Sequence, residues 1–105
     1  MVFEVYRTET FDKEMNKLEN EYQERIQNLF LQLKVNPYLG DPLRSKVLRE
    51  KRLDEKRLYF LVFEDLNSVL FVAIGNKKTQ QKTIDCILEL IDEYKIYLKK
   101  LLGKV

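Results

Sequence analysis

Two apolar segments separated by a short polar run constrain this chain more than any other feature in it. Residues 57–64 read Arg-Leu-Tyr-Phe-Leu-Val-Phe-Glu and residues 69–74 read Val-Leu-Phe-Val-Ala-Ile. Both are rich in the β-branched and aromatic side chains that suit a pleated surface. Asp65, Leu66, Asn67 and Ser68 stand between them, and Asp, Asn and Ser favour turn geometry. The pair is therefore predicted to form an antiparallel hairpin. A strand is expected over 46–52, reaching the hairpin through a polar turn at Leu53-Asp54-Glu55-Lys56. Val2, Phe3, Val5 and Tyr6 predict a further strand at the start.

Helical periodicity fills the rest. Phe11, Met15, Leu18, Tyr22, Ile26, Leu29 and Leu33 recur at spacings of three or four, one apolar helical face. Thr10 is read as the N-cap, and Asn20 with Gln23 resembles a second capping signal that predicts a break into two helices. Asn36-Pro37 ends the pattern, because a residue before proline is driven toward extended geometry. A second stripe, Ile84, Ile87, Leu88, Ile91, Tyr94, Leu98, Leu101 and Leu102, predicts a long C-terminal helix over about 79–102, with Gly103 as its stop. The expected fold class is α+β: an N-terminal strand, an α-helical hairpin, an antiparallel sheet of about four strands and the C-terminal helix. A chain of 105 residues has room for one core, so residues 1–105 are expected to be a single domain.

Composition removes most enzyme classes. The chain has no His and one Cys, Cys86, so Ser-His-Asp and Cys-His nucleophile systems are impossible, as are the usual zinc and iron sites. Acid–base chemistry is left to Asp, Glu, Lys, Tyr or water. No cofactor or metal is expected. Cys86 is read as a small buried hydrophobe. No apolar run approaches the roughly 20 residues that span a bilayer, and the start, with Glu4 and no long apolar stretch, does not read as a secretory signal. The expected location is a reducing cytoplasm.

Net charge is only +2, but its distribution is uneven. Residues 43–82 carry ten basic and five acidic side chains, whereas residues 1–42 carry five and eight. The densest stretch holds Arg44, Lys46, Arg49, Lys51, Arg52, Lys56 and Arg57; a second holds Lys77, Lys78 and Lys82. Local potential of this kind governs encounter with polyanions more than the overall sum does.

The element order and these residues together resemble the RelE/ParE superfamily of small toxins from type II toxin–antitoxin pairs, the RelE-like branch above all. The resemblance covers about residues 1–80. It runs through Asn36-Pro37, Gly40-Asp41-Pro42-Leu43-Arg44, the basic strand and turn into Lys56-Arg57-Leu58-Tyr59-Phe60, then Phe63-Glu64-Asp65 and Val72-Ala73-Ile74-Gly75-Asn76-Lys77-Lys78.

The resemblance implies a ribosome-dependent endoribonuclease that cleaves messenger RNA in the ribosomal A site and so inhibits translation. It also implies a cognate antitoxin as partner. The attacking 2′-hydroxyl belongs to the substrate, so the protein has to orient it and stabilise phosphorane charge, a task that fixed guanidinium and ammonium groups suit without a metal. By position, Arg57, Arg49, Lys51, and Lys77 or Lys78 match the family's catalytic cations; Arg44, Lys46, Arg52, Lys56 and Lys82 are expected to bind RNA. Where competent relatives place a Tyr or His, this chain reads Gln80-Gln81-Lys82-Thr83. Tyr59 is read as a strand residue half-buried against the core. The alternative implied by the incomplete acid–base set is a non-nuclease scaffold, either a ParE-like gyrase inhibitor or a decayed toxin that acts only as an interaction protein.

Overall fold

Thr8, rather than Thr10, starts the first helix: its hydroxyl accepts the Phe11 N–H at 3.1 Å, and its own N–H donates to the Phe71 carbonyl at 3.0 Å. The second bond ties the helix start to the sheet, which moves the cap two residues earlier than local sequence indicates. A computed structural model describes residues 2–103. In order, they form β1 (Glu4–Arg7), α1 (Glu9–Asn16), α2 (Asn20–Val35), β2 (Asp41–Pro42), β3 (Leu48–Leu53) and β4 (Lys56–Phe63). A 3₁₀ turn (Glu64–Leu66), β5 (Ser68–Asn76), α3 (Gln80–Glu89) and α4 (Ile91–Leu101) complete the chain. The expected break between the first two helices is present, and the Gln23 amide reaches back across it to the Leu18 carbonyl at 2.9 Å.

The sheet has five strands in the order β1-β5-β4-β3-β2. The extra strand is the two-residue β2. All neighbours are antiparallel except β1 and β5, which run parallel. The central pair, β4 and β5, is the hairpin that the apolar segments predict, and both of its faces are covered. On one face α1 and α2 pack over Phe60 and Phe71, and the Phe71 ring meets those of Phe11, Phe30 and Phe60 with centroids 4.9–5.1 Å apart. On the other, Ile84, Ile87 and Leu98 of α3 and α4 cover Tyr59, Leu61 and Leu70.

The C-terminal helical segment is divided at Leu90 rather than continuous. At 1.5 Å per residue, a straight helix over 79–102 would run about 36 Å, the full 35 Å length of the molecule. The bend at Leu90 lets α4 return to the sheet, where Leu98 is fully buried. Cys86 is exposed on α3, because the face of that helix toward the sheet is taken by Ile84 and Ile87.

Candidate nucleic-acid interface

The turn between β3 and β4 sets which cations can act together. Its two central residues are Asp54, at φ 56°, and Glu55; Asp is one of the few non-glycine residues that tolerates this left-handed region. The turn fixes Leu53 opposite Lys56, Arg52 opposite Arg57 and Glu50 opposite Tyr59. Directly paired residues share a face of an antiparallel sheet, and side chains alternate along each strand. Glu50, Arg52, Arg57 and Tyr59 therefore share the face that α3 and α4 cover. Arg49, Lys51 and Lys56 belong to the opposite face, with α2.

A bulge extends this arrangement to β5. Tyr59 pairs with Ala73 but Phe60 pairs with Phe71, which leaves Val72 as the extra residue. The bulge reverses the alternation beyond it and brings Gly75 opposite Arg57 on the α3 face. A side chain at Gly75 would meet Thr79 Oγ1 at 3.1 Å and the Tyr59 ring at 3.6 Å, so glycine permits the close approach of the α3 start.

At the centre of this face lies a buried polar cluster. Arg57 is 7% exposed and Glu50 5%. Arg57 Nη1 lies 3.3 Å from Glu50 Oε2, and the Gln80 amide donates to Glu50 Oε1 at 2.9 Å. Among the described residues, the Tyr59 hydroxyl and Arg57 Nε are buried without a hydrogen-bond partner. Burial, reinforced by the nearby Glu50 carboxylate, pushes the Tyr59 phenol far above its ordinary value and keeps it protonated.

Arg57 also borders an open cleft of about 800 Å³. Arg52, Lys77 and Lys78 line it with Arg57, alongside Asn76 and the turn acids Asp54 and Glu55. The two lysines sit on a turn held by reciprocal hydrogen bonds, Thr79 N–H to Asn76 Oδ1 at 3.1 Å and Asn76 N–H to Thr79 Oγ1 at 3.2 Å. Four cations from β3, β4 and the β5–α3 turn thus converge on one concave surface.

The remaining sequence-predicted residues lie elsewhere. Arg49 fastens the loop before β2: it donates to the Tyr38, Leu39 and Gly40 carbonyls at 2.6, 3.1 and 2.9 Å. Lys51 lines a smaller cleft between β3 and α2. The Lys56 ammonium lies 4.9 Å from the centre of the Tyr22 ring. Arg44 pairs with Asp85 of α3, while Lys46 and Lys82 are exposed. The sequence pattern does not single out Glu50 and gives no site role to Asn76 or Gln80, and Tyr59 is fully buried rather than half-buried. Once 54–55 is taken as a two-residue turn, counting outward pairs Glu50 with Tyr59 and Arg52 with Arg57. That signal was present in the sequence. Nothing local announces Gln80, which comes from a distant helix.

Among the described residues, no group of three or more Cys, Asp or Glu side chains is arranged to hold a metal. No helix among them is long and apolar enough to cross a membrane.

A mixed five-stranded sheet, two helices on one face, and a cation-lined cleft beside C-terminal helices on the other define a small α+β protein with the RelE fold. A double arginine-to-alanine mutant of E. coli RelE in the free state matches with a TM-score of 0.69 at 16% identity, over 83% of this chain and 99% of that one. The archaeal RelE–RelB complex from Pyrococcus horikoshii gives 0.64 at 14% identity, over 73% and 97%. The intact E. coli RelBE toxin–antitoxin complex gives 0.62 at 20% identity, over 72% and 96%. No protein-family model matches the sequence, and no curated protein does.

Proposed function

We propose that this protein is the toxin of a type II toxin–antitoxin pair and acts as a ribosome-dependent mRNA endoribonuclease. The observation that carries the reading is the convergence of Arg52, Arg57, Lys77 and Lys78 on one open cleft, with the Glu50 carboxylate and the Tyr59 phenol buried beside Arg57. In this reading Arg52, Lys77 and Lys78 hold the phosphate backbone, and Arg57 stabilises charge at the scissile phosphate. Glu50 takes the proton of the attacking substrate 2′-hydroxyl. Tyr59, whose hydroxyl has no other partner among the described residues, donates to the departing 5′-oxygen. Access to Glu50 and Tyr59 requires the first turn of α3, held there through Gln80, to move aside. Arg49 and Lys51 face away and take no part in this cleft. The partner that restrains the protein is a cognate antitoxin, a role supported by the solved complexes of RelE with RelB.

Primer extension on a defined mRNA, with and without programmed ribosomes, tests the proposal. Cuts at A-site codons only with ribosomes are expected, and an Arg52→Ala/Lys77→Ala/Lys78→Ala variant should lose them while remaining folded. Absence of cuts from the folded wild type overturns the nuclease reading.

One observation favours a second reading. Glu50 neutralises Arg57, and Gln80 of α3 covers Glu50, which suits a scaffold that acts by binding alone, as a gyrase inhibitor or as a toxin that has lost catalysis. Inhibition of gyrase supercoiling without RNA cleavage would support the first of these; complex formation with an antitoxin but no growth arrest would support the second.

A further inference from the structure

The smaller cleft, on the other side of the β3–β4 hairpin, has a different character. It encloses about 310 Å³ and is lined by Arg25, Asn28, Leu29 and Gln32 of α2 with Lys51 and Leu53 of β3. Arg25, Asn28, Leu29 and Gln32 lie on one face of α2 by helical spacing. Leu29 and Leu53 are buried and form an apolar floor. Two primary amides and two cations stand around it, and no carboxylate among the described residues lines it. Arg25 is anchored by Asp54, its Nη1 2.9 Å from Oδ2, whereas Lys51 forms no ion pair among the described residues.

The two clefts adjoin. Lys51 and Arg52 are consecutive on β3, so one side chain serves each cleft, and Asp54 borders the larger cleft while holding Arg25 of the smaller. β2 pairs only with Arg49 and Glu50, which among the described residues leaves the outer edge of β3 without a strand partner at Lys51–Leu53.

We infer that the α2–β3 cleft is a second nucleotide subsite: an RNA strand held by the cation cleft crosses the free edge of β3 and seats one nucleotide against α2. This rests on the RNA-binding reading of the larger cleft. The chemistry fits a nucleotide. Amides of Asn28 and Gln32 offer both donors and acceptors to a base edge, the leucine floor takes a base face, and Lys51 meets the phosphate. The volume lies at the small end of ligand clefts, which begin at about 300 Å³. An acidic helical peptide, about 10 Å across with its side chains, is a poorer match for so small a cleft.

Fluorescence anisotropy with a labelled ten-nucleotide U-rich RNA across a salt series tests the subsite. Asn28→Ala/Gln32→Ala and Lys51→Ala, at positions that are exposed or half-buried, are each expected to weaken binding by about 5- to 10-fold, the loss of one modest base or phosphate contact. Lys51→Ala should also lower the salt slope by about 0.7, the single-strand value for one phosphate. Unchanged affinity and slope in both variants, with binding lost in Arg52→Ala/Lys77→Ala/Lys78→Ala, overturns the subsite and leaves the larger cleft's reading intact. Ribosome-dependent cleavage by a wild type that binds a glutamate-rich peptide at this cleft, and not RNA, likewise overturns the subsite alone.

Discussion

The two faces of the sheet are built on opposite terms. Under α1 and α2 the contacts are apolar and aromatic, with Phe11, Phe60 and Phe71 fully buried around one another. Under α3 and α4 an apolar cluster continues, but one end of it encloses Glu50, Arg57 and an unpartnered Tyr59 hydroxyl. The covering helices are also held by polar ties: Gln80 to Glu50, Arg44 to Asp85, and Lys95 Nζ to Asp65 at 2.6 Å. A dry aromatic core has no reason to open, because nothing inside it gains from water. A polar cluster under a hydrogen-bonded cover gains solvation on exposure, so the second face is the one whose cover opens at the lower cost.

Phe71→Ala tests the first half of the contrast and should produce the largest effect. Truncating a fully buried phenylalanine costs about 3–5 kcal/mol, enough to shift the urea midpoint strongly; a loss below about 1 kcal/mol, no more than removal of a single methyl group costs, would show that the aromatic face is not the stabilising one.

Arg57→Met comes next. It leaves Glu50 with its main cationic partner gone, at a cost of about 3 kcal/mol, whereas Glu50→Leu/Arg57→Met should return close to wild-type stability, as a buried pair exchanged for apolar side chains often does. Equal losses in the single and double variants would mean that the cluster is bound by packing rather than by its charges.

Tyr59→Phe is expected to go the other way. Removing a buried hydroxyl without a partner should stabilise the protein by about 1 kcal/mol, the smaller end of the penalty for an unsatisfied polar group, while abolishing cleavage if the phenol is the proton donor. Destabilisation on thermal unfolding would reveal a partner for the hydroxyl and remove the case that it is held in reserve.

Acid should separate the two faces more gently. Hydrogen bonding from Arg44 holds Asp85 below the ordinary 3.8, and hydrogen bonding from Lys95 does the same for Asp65. A depressed folded value means that these ties contribute fully above the unfolded pKa and are lost as pH falls through the folded one. Hydrogen-exchange protection of α3 and α4, taken relative to the intrinsic rate at each pH, should therefore fall below about pH 4, the range in which carboxylates take up protons. The Arg25–Asp54 tie to α2 weakens in the same range, but the aromatic core continues to hold that helix. Simultaneous release of α1 and α2 would contradict the comparison.

Much of the framework was legible in advance. The helical stripes, the interruption before Asn20, the stop at Asn36-Pro37 and the central hairpin all follow from local periodicity and turn chemistry. The site was legible only in its composition. Arg49, Lys51 and Arg57 are close in sequence and alike in charge, yet strand alternation and the Asp54-Glu55 turn send Arg57 to one face and the other two away from it. The Val72 bulge then decides that Gly75 rather than Ile74 faces Arg57. One residue of register is enough to exchange the faces, and the energy that selects it comes from burial across the whole sheet.

By itself the sequence determined the α+β order, the absence of histidine chemistry and the concentration of cations in residues 43–82, because these depend on residue type and local spacing. Tertiary structure alone decided that Arg57 is buried against Glu50, that Gln80 closes over them from a helix thirty positions away, and that the C-terminal helix bends at Leu90. Each of these is settled by which surfaces meet, and an apolar stripe or a row of charges carries no record of the partner that it will face.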